Sequence, residues 1–510
     1  MDPNTSGAAS VICVHIADKA RTGVRRGSTT NEMSEAVQDR IVAPARKRNF
    51  RTIALIVASA MFMEQLDATV LTTALPTMAR DFGVSAPNMS IALTSYLLSL
   101  AIFIPASGKV ADRFGSSTVF RSAILVFTIG SILCAQATSL STLVGARIFQ
   151  GLGGAMMMPV GRLVLLRSVE RRDMVSAMSW LLVPALIGPI IGPPVGGFLV
   201  TYLDWRWIFY INVPIGVLGF VLVSLFIENT AGPPAGRFDL LGMILSGVAL
   251  GCLFFGFEMT SHEGQERLAF GLLSVGAVFS WLYLRHERRH PDPILDLSLM
   301  KIPSFGLSVW GGALTRVTQG AQPFLLPLMF QLGFGLSAAQ SGTIVLATAV
   351  GSMAMKAFAP RVLRRFGFRR SLIVNGIVAS CGYALCGAFR PDWPFALMFA
   401  ILVGCGFFMS FQFTAYNTVA YDEIPHDRMS SATGFYTTFQ QLMLSVGICV
   451  AALALEVSMA AQGHARVMLG DFTAAFLFVT IVSLSATLVN RRFATDAGAE
   501  ISGHKQIKQS

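Results

Sequence analysis

Charge is what this sequence has least of. Only 13% of its 510 residues are Asp, Glu, Lys or Arg, about half the ~25% that a soluble domain uses to face water. Hydrophobic residues make up 53%, and mean hydropathy is +0.61. That balance excludes a soluble enzyme, a fibrous protein and a disordered regulator. Cysteine is scarce: there are seven, an odd number, and all but Cys13 lie in apolar runs. No two have zinc-ligand spacing, so they read as small buried hydrophobes. A nucleotide loop is missing too, because Gly108-Lys109 lacks the upstream glycine that a phosphate loop needs. Energy for any work must then come from an ion gradient, and no cofactor is expected.

What the chain does have is long apolar runs, enough to fill most of its length at ~20 residues per crossing. Residues 1–50 are polar and basic, and Val11-Ile12-Cys13-Val14 is too short for a signal-peptide core. This segment reads as a disordered cytosolic tail, with Met33 as a second candidate start. Beyond it the expected spans are 52–79, 88–108, 118–138, 141–162, 174–200, 207–227, 239–258, 268–284, 304–330, 338–358, 371–389, 394–419, 431–460 and 469–490. The fold class is therefore an all-α membrane protein with fourteen transmembrane helices.

Net charge is +11, but its placement matters more than its sum. Breaks after even-numbered spans hold Lys109, Arg113 and Arg121, then Arg167, Arg171 and Arg172. Later ones hold Arg285, Arg288, Arg289 and Lys301, then Arg361, Arg364, Arg365, Arg369 and Arg370. The opposite breaks hold single cations: Arg80, Arg206, Arg267, Arg390 and Arg466. Lys and Arg in short loops stay cytoplasmic during insertion. Both termini are thus expected in the cytoplasm, and the basic excess is a topology signal without nucleic acid as a partner.

An internal repeat organises the spans. Lys109-Val110-Ala111-Asp112-Arg113-Phe114-Gly115 matches Arg361-Val362-Leu363-Arg364-Arg365-Phe366-Gly367. Upstream, Leu75-Pro76-Thr77-Met78 and Gly83-Val84-Ser85-Ala86 match Leu326-Pro327-Leu328-Met329 and Gly335-Leu336-Ser337-Ala338. The copies run parallel, as in transporters built from two six-helix halves. The expected units are a tail 1–50, a six-helix bundle 51–228, an inserted helix pair with its loops 229–303, a second bundle 304–490 and a cytosolic tail 491–510.

These motifs resemble a known family. Gly108 through Gly115 resembles the loop motif of the major facilitator superfamily. Leu66-Asp67-Ala68-Thr69-Val70 through Ala74-Leu75-Pro76 is similar to the first-helix motif of its fourteen-helix drug:proton antiporters, the EmrB/QacA type. Arg147-Ile148-Phe149-Gln150-Gly151 looks like the fourth-helix motif. Gly188-Pro189 with Gly192-Pro193-Pro194-Val195-Gly196-Gly197 resembles the fifth-helix antiporter motif, and Trp205 through Pro214 also fits. With Gly153 through Pro159 the chain looks closest to the MdtD/HsrA-like bacterial branch. Ser116-Ser117 departs from the pattern, since the family usually has basic residues there.

The resemblance implies a proton-coupled exporter in a bacterial inner membrane. It would alternate between a small-molecule substrate and protons, working as a monomer with room for an adaptor or outer-membrane partner. Asp67 lies ~22 Å from the cytosolic end of its helix and Arg147 ~9 Å from the outer end, so the two fall at similar depth in a core of ~30 Å. A buried carboxylate beside an Arg can act as a protonation switch. A static ion pair locking the two helices is the plainer reading. Glu64, one turn from Asp67, is a second proton-carrier candidate. Arg316, Gln319, Gln322 and Gln150 are expected to line a central substrate cavity, where Arg316 meets a polar or anionic group or else pairs internally. Gly188, Gly192, Gly196 and Gly197 let another helix approach closely, and Pro189 and Pro193 bend their own.

In the loop motif of Gly108, Asp112, Arg113 and Gly115, the resemblance implies that Asp112 bonds the N-terminus of the helix beginning near Ser430 and Ser431. No metal is expected. His286-Glu287-Arg288-Arg289-His290 fits the zinc-protease pattern, but Pro291 disfavours helix at His290. A shared face for the two histidines is therefore not assured, and no third ligand is obvious.

Overall fold

The computed structural model describes residues 50–169, 173–229, 238–260, 266–425 and 428–504. The expected tail up to Asn49, together with Arg171 and Arg172, lies outside the described residues. Among those described there is no strand.

The first bundle contains α1 (Phe50–Phe82), α2 (Ser90–Phe103), α3 (Ser107–Phe114), α4 (Ser116–Ala135), α5 (Leu140–Ser168), α6 (Met174–Tyr202), α7 (Trp207–Tyr210) and α8 (Asn212–Phe226). The inserted pair is α9 (Leu240–Met259) and α10 (Glu266–Glu287). The second bundle contains α11 (Pro303–Leu328), α12 (Ala338–Phe366), α13 (Phe368–Gly387), α14 (Phe395–Val419), α15 (Met429–Gln462) and α16 (Leu469–Asn490), followed by a short α17 (Ala499–Ser502). Eleven helices among the described residues are long and apolar enough to cross a membrane, counting Pro87–Phe114 as one. The helices Met174–Tyr202, Pro303–Leu328 and Phe368–Gly387 are long as well.

Local chemistry sets the ends. Ser139 accepts from the Thr142 amide and Ser337 from the Gln340 amide, each closing a capping box that satisfies exposed amides of the first turn. Gly115 (φ 87°) and Gly367 (φ 71°) occupy matching turns, as do Gly83 (φ 68°) and Gly335 (φ 70°). Positive φ strains any residue with a Cβ. The sequence repeat therefore carries its turn glycines with it.

One expectation changes. The segment from Gly108 to Arg113 was expected as loop but is helical, as α3, and only Gly115 turns. Pro105 interrupts the preceding helix with one tight turn, Ile104–Ala106, and no glycine with positive φ or further proline follows until Gly115. The 491–510 segment, over its described part, packs against the second bundle. Phe493 is buried in the second bundle's core, the Gly498 amide donates to Asp422, and His504 reaches the Arg364 carbonyl.

The bundles meet through α2 against α15, α6 against α12, and α1 against α11. Near Gly83 and Gly335 a single apolar core spans both bundles, joining Leu75 and Met78 to Phe324, Phe330 and Leu455. Near Gly115 and Gly367 the cores are separate. One holds Val57, Phe120 and Val164 of the first bundle. Others hold Leu363 and Leu372, or Phe305 and Phe435, of the second. The apolar core is thus continuous across the bundles at the Gly83 face and divided between them at the Gly115 face, where α15 still touches the Ile104–Ala106 turn. The inserted pair attaches where the bundles meet, because Glu258 of α9 accepts from Ser90 Oγ at 2.8 Å and from Cys449 Sγ at 2.8 Å.

Candidate functional site

Asp67 lies in the middle of α1, whose flanking residues Leu66 and Val70 are core. A carboxylate on such a face has no water to solvate it, so its partners must come from other helices. α5 brings Arg147, whose Nη1 stands 2.6 Å from Asp67 Oδ2. The other oxygen accepts from Gln150 Nε2 at 3.0 Å and from Asn212 Nδ2 at 2.8 Å. Ser131 of α4 completes the set, 2.7 Å from Gln150 Nε2 and 3.2 Å from Asn212 Nδ2.

Arg147 is held from several sides. Its Nε donates to the Ala92 carbonyl of α2 at 3.2 Å, and Nη1 also reaches Gln150 Oε1 at 2.5 Å. Its guanidinium lies 4.3 Å from the Tyr96 ring centroid, within cation–π range. Charge at Asp67 is thereby tied, through Arg147, to α2, the helix that crosses to the second bundle. There Ser445 of α15 donates to the Thr94 carbonyl at 3.3 Å.

Gln150 was expected to face the cavity and does not. It is fully buried within the Asp67–Arg147 network. An amide can serve Asp67 as donor and Arg147 as acceptor at once, which explains why it sits inside. Asn212 carried no expected role, although an amide inside the apolar run from Trp207 to Val213 was a visible signal. Glu64 is buried one turn away, and its Oε2 has no hydrogen-bond partner.

Arg316 of α11 is 2% exposed. Among the described residues no carboxylate lies within ion-pair distance, and its Nε and Nη2 find no hydrogen-bond partner. Its neighbours are aromatic, with ring centroids of Tyr436 at 5.1 Å and Phe413 at 5.4 Å. Gln319 and Gln322 are buried on the same helix, and Gln322 Nε2 is likewise without a partner. Arg162 and Lys356 are exposed.

α6 runs unbroken through Pro189, Pro193 and Pro194. Its glycines face α1 beside the carboxylate. A Cβ on Gly188 would fall 3.0 Å from Gln65 Cβ, on Gly192 2.0 Å from Thr69 Oγ1, and on Gly196 2.6 Å from the Val70 carbonyl. Gly197 turns instead to the second bundle, where a Cβ would stand 2.2 Å from the Ala338 carbonyl. The stripe thus seats α6 against α1 and α12 together.

Asp112 does not reach α15. It pairs with Arg167 of α5, in its own bundle. The first turn of α15 has Arg428 as its N-cap, held by Asp296 at 2.5 Å and by Ser298. The cation that neutralises Asp112 is therefore an intra-bundle one. Arg113 is exposed, Gly108 has open space around it, and Gly115 packs on Asn229. Ser116 and Ser117, where basic residues were expected, are buried, with Ser117 Oγ donating to the Ile227 carbonyl at 3.1 Å. The Lys109 ammonium bonds Asp292 at 2.7 Å, which places a linker carboxylate over α3.

The reasons for dismissing His286 and His290 also need correction. Despite Pro291, the His290 amide donates to the His286 carbonyl at 3.0 Å, so one more helical turn forms and the rings lie 5.2 Å apart. Asp239 stands beside them, its Oδ1 2.7 Å from His286 Nε2.

Known proteins place this architecture. The profile described as Major Facilitator Superfamily matches residues 57–448. MdtD of Citrobacter koseri, provisionally named a multidrug resistance protein, is 35% identical over 443 residues, covering 86% of this chain and 93% of its own. MdtD of Pectobacterium carotovorum is 34% identical over 447 residues, covering 86% and 94%. Among solved structures, the POT family transporter PepTSo superposes with TM-score 0.65 at 14% identity, over 90% of this chain and all of its own. The nucleoside transporter NupG does so with TM-score 0.58 at 15%, over 88% and 100%. At those identities the two structures speak for the fold alone. A matched profile over most of the chain and relatives of this similarity lead to one conclusion: this chain is a membrane transporter and belongs to the Major Facilitator Superfamily.

Proposed function

We propose that the chain exports small molecules in exchange for protons, by alternating access across the inner membrane of a bacterium. The reading has fourteen spans, both termini in the cytoplasm, bundles at 51–228 and 304–490, and the Gly115 face inside, where the basic residues gather. On it, the divided cores near Gly115 support an inward-facing reading. The drug-efflux part draws on the MdtD relatives and their name.

The observation that carries the proposal is the buried Asp67 network. With Asp67 ionised, Arg147 is neutralised and holds the Ala92 carbonyl of α2. A proton on Asp67 cancels the attraction and leaves Arg147 an uncompensated buried cation, a costly state in a low-dielectric site. The strain falls on α2, the helix shared with α15. Glu64, with one carboxylate oxygen lacking a partner, offers a neighbouring proton acceptor. Binding and release of H⁺ thereby bias which face the bundles open to.

A second reading concerns cargo. Arg316 is a buried cation without a counter-ion among the described residues, and it is flanked by Tyr436, Phe413 and the free amide of Gln322. A planar organic anion would supply the missing charge and stack on the rings. This favours anionic compounds, chelates among them, over lipophilic cations.

Proteoliposomes under an imposed pH difference test both. Solute flux coupled to H⁺ movement is expected, with anionic dyes carried better than cationic ones and Arg316→Gln reversing that preference. Undiminished coupled flux in Asp67→Asn would remove Asp67 from the mechanism.

A further inference from the structure

The ends of α9 and α10 at the Gly115 face hold a cluster that transport does not use. Asp239 caps α9, where its Oδ1 accepts from the Gly242 amide at 2.8 Å, and its Oδ2 accepts from the Ile294 amide at 3.3 Å. His286 lies in the last turn of α10, and His290 follows on the extra turn described above. The His rings incline at 34° to each other. One ligand atom from each of Asp239, His286 and His290 falls within 4.8 Å of the other two.

We propose that Asp239, His286 and His290 bind a divalent transition-metal ion of the zinc type, which fastens α9 to α10. Two imidazoles and one carboxylate are ligands that zinc, cobalt and nickel accept, with water in the remaining position. Bonds of ~2.0–2.2 Å to a tetrahedral ion place ligand atoms a little over 3 Å apart. Reaching that spacing takes a small widening of the His286–Asp239 contact and a rotation of His290. The Asp292 amide, 3.3 Å from His290 Nδ1, is a long contact that ligation can release.

The hydrogen bond between His286 and Asp239 joins two of the three residues, and the turn that ends α10 brings His290 beside them. An open cavity of about 860 Å³, lined by Glu287, His290, Asp292 and Asp296 among others, gives an ion its approach. The surrounding arginines raise the local potential, and Arg285 is drawn off to the Trp281 ring at 5.7 Å.

The test is titration of chelator-stripped, untagged full-length protein in detergent with Zn²⁺ by calorimetry, and with Co²⁺ by visible absorption. One equivalent of Zn²⁺ is expected to bind and to raise the melting temperature. Co²⁺ is expected to give the d–d bands of a four- or five-coordinate site. His290→Gln keeps the His286–Asp239 bond, so its metal-free melting temperature should match the parent while Zn²⁺ affinity falls at least tenfold. His286→Gln should weaken binding similarly. Parent-like Zn²⁺ affinity in both variants, or no stoichiometric binding by the parent, would overturn the proposal and leave a helix-end hydrogen bond. Neither result bears on proton-coupled flux, which is measured separately.

Discussion

Arg147 Nη1 lies 2.6 Å from Asp67 Oδ2, with each side chain only 1% exposed. Two opposite charges so far from water are bound less by mutual attraction than by the cost of separating them. Arg147→Ala should therefore cost about 3–5 kcal/mol, the usual penalty for stranding a buried charge. Adding Asp67→Asn to that variant should return part of the loss. Thermal melts of the two single variants and the double variant give the coupling energy, and strict additivity would deny that the pair interacts.

Asp67→Asn keeps the shape and the hydrogen bonds from Gln150 and Asn212 but removes the titrating group. Inserted and folded protein is expected, with gradient-driven flux at the level of empty liposomes. Substrate binding should survive, because the lost step is proton exchange. Scintillation proximity or fluorescence binding on the same preparation separates the two effects.

Gly197 is one of the contacts between α6 and the second bundle. A methyl there would stand 2.2 Å from the Ala338 carbonyl, which is backbone and cannot rotate away. Gly197→Ala should destabilise the bundle contact at the Gly83 face by about 1–3 kcal/mol, the range for overpacking. The reverse contact predicts the same for Gly342→Ala, since a Cβ there would stand 2.1 Å from the Pro193 carbonyl. A cysteine placed at Thr201, in a background without exposed cysteines, should react faster with a bulky thiol reagent in either variant.

Asp296 ties the linker to Arg428. Burial pushes its carboxyl up, but Ser298 and Arg428 outweigh that and hold it below its usual 3.8. A group depressed on folding stabilises above its unfolded pKa, and that contribution is lost as pH falls through the folded value. Asp296→Asn should thus lower stability near neutrality and flatten its decline under acid. Melting temperatures from pH ~7 down to ~3 check the sign. Equal curves for variant and parent would show that the pair contributes nothing.

Much of the fold was legible because membrane insertion writes simple rules into sequence. Apolar runs of span length placed the helices, and the matched pairs Gly83/Gly335 and Gly115/Gly367 proved to be paired turns. Depth arithmetic placed Asp67 and Arg147 level with each other. It could not say that Gln150 turns inward to join them, since a helix offers an amide several rotamers and only the neighbours choose. Asn212 went without a role for the same reason. Asp112 was assigned a partner on α15, whereas it pairs with Arg167 of its own bundle, a choice that spacing along the chain does not encode. His286 and His290 were set aside on the strength of Pro291, and the third ligand came from a residue 47 positions earlier.

By itself the sequence determined that this chain lives in a bilayer, that its helices form two parallel copies, and that ionisable side chains lie within the spans. Those are consequences of hydrophobic length, turn chemistry and local spacing, all of which act over tens of residues. Only the tertiary structure decided which charges are neutralised, that Arg316 has no counter-ion among the described residues, and at which face the apolar core is shared. These depend on contacts between segments 55 to 191 residues apart, such as Arg147 with Ala92 and Cys449 with Glu258, and no local rule encodes where two distant helices will cross.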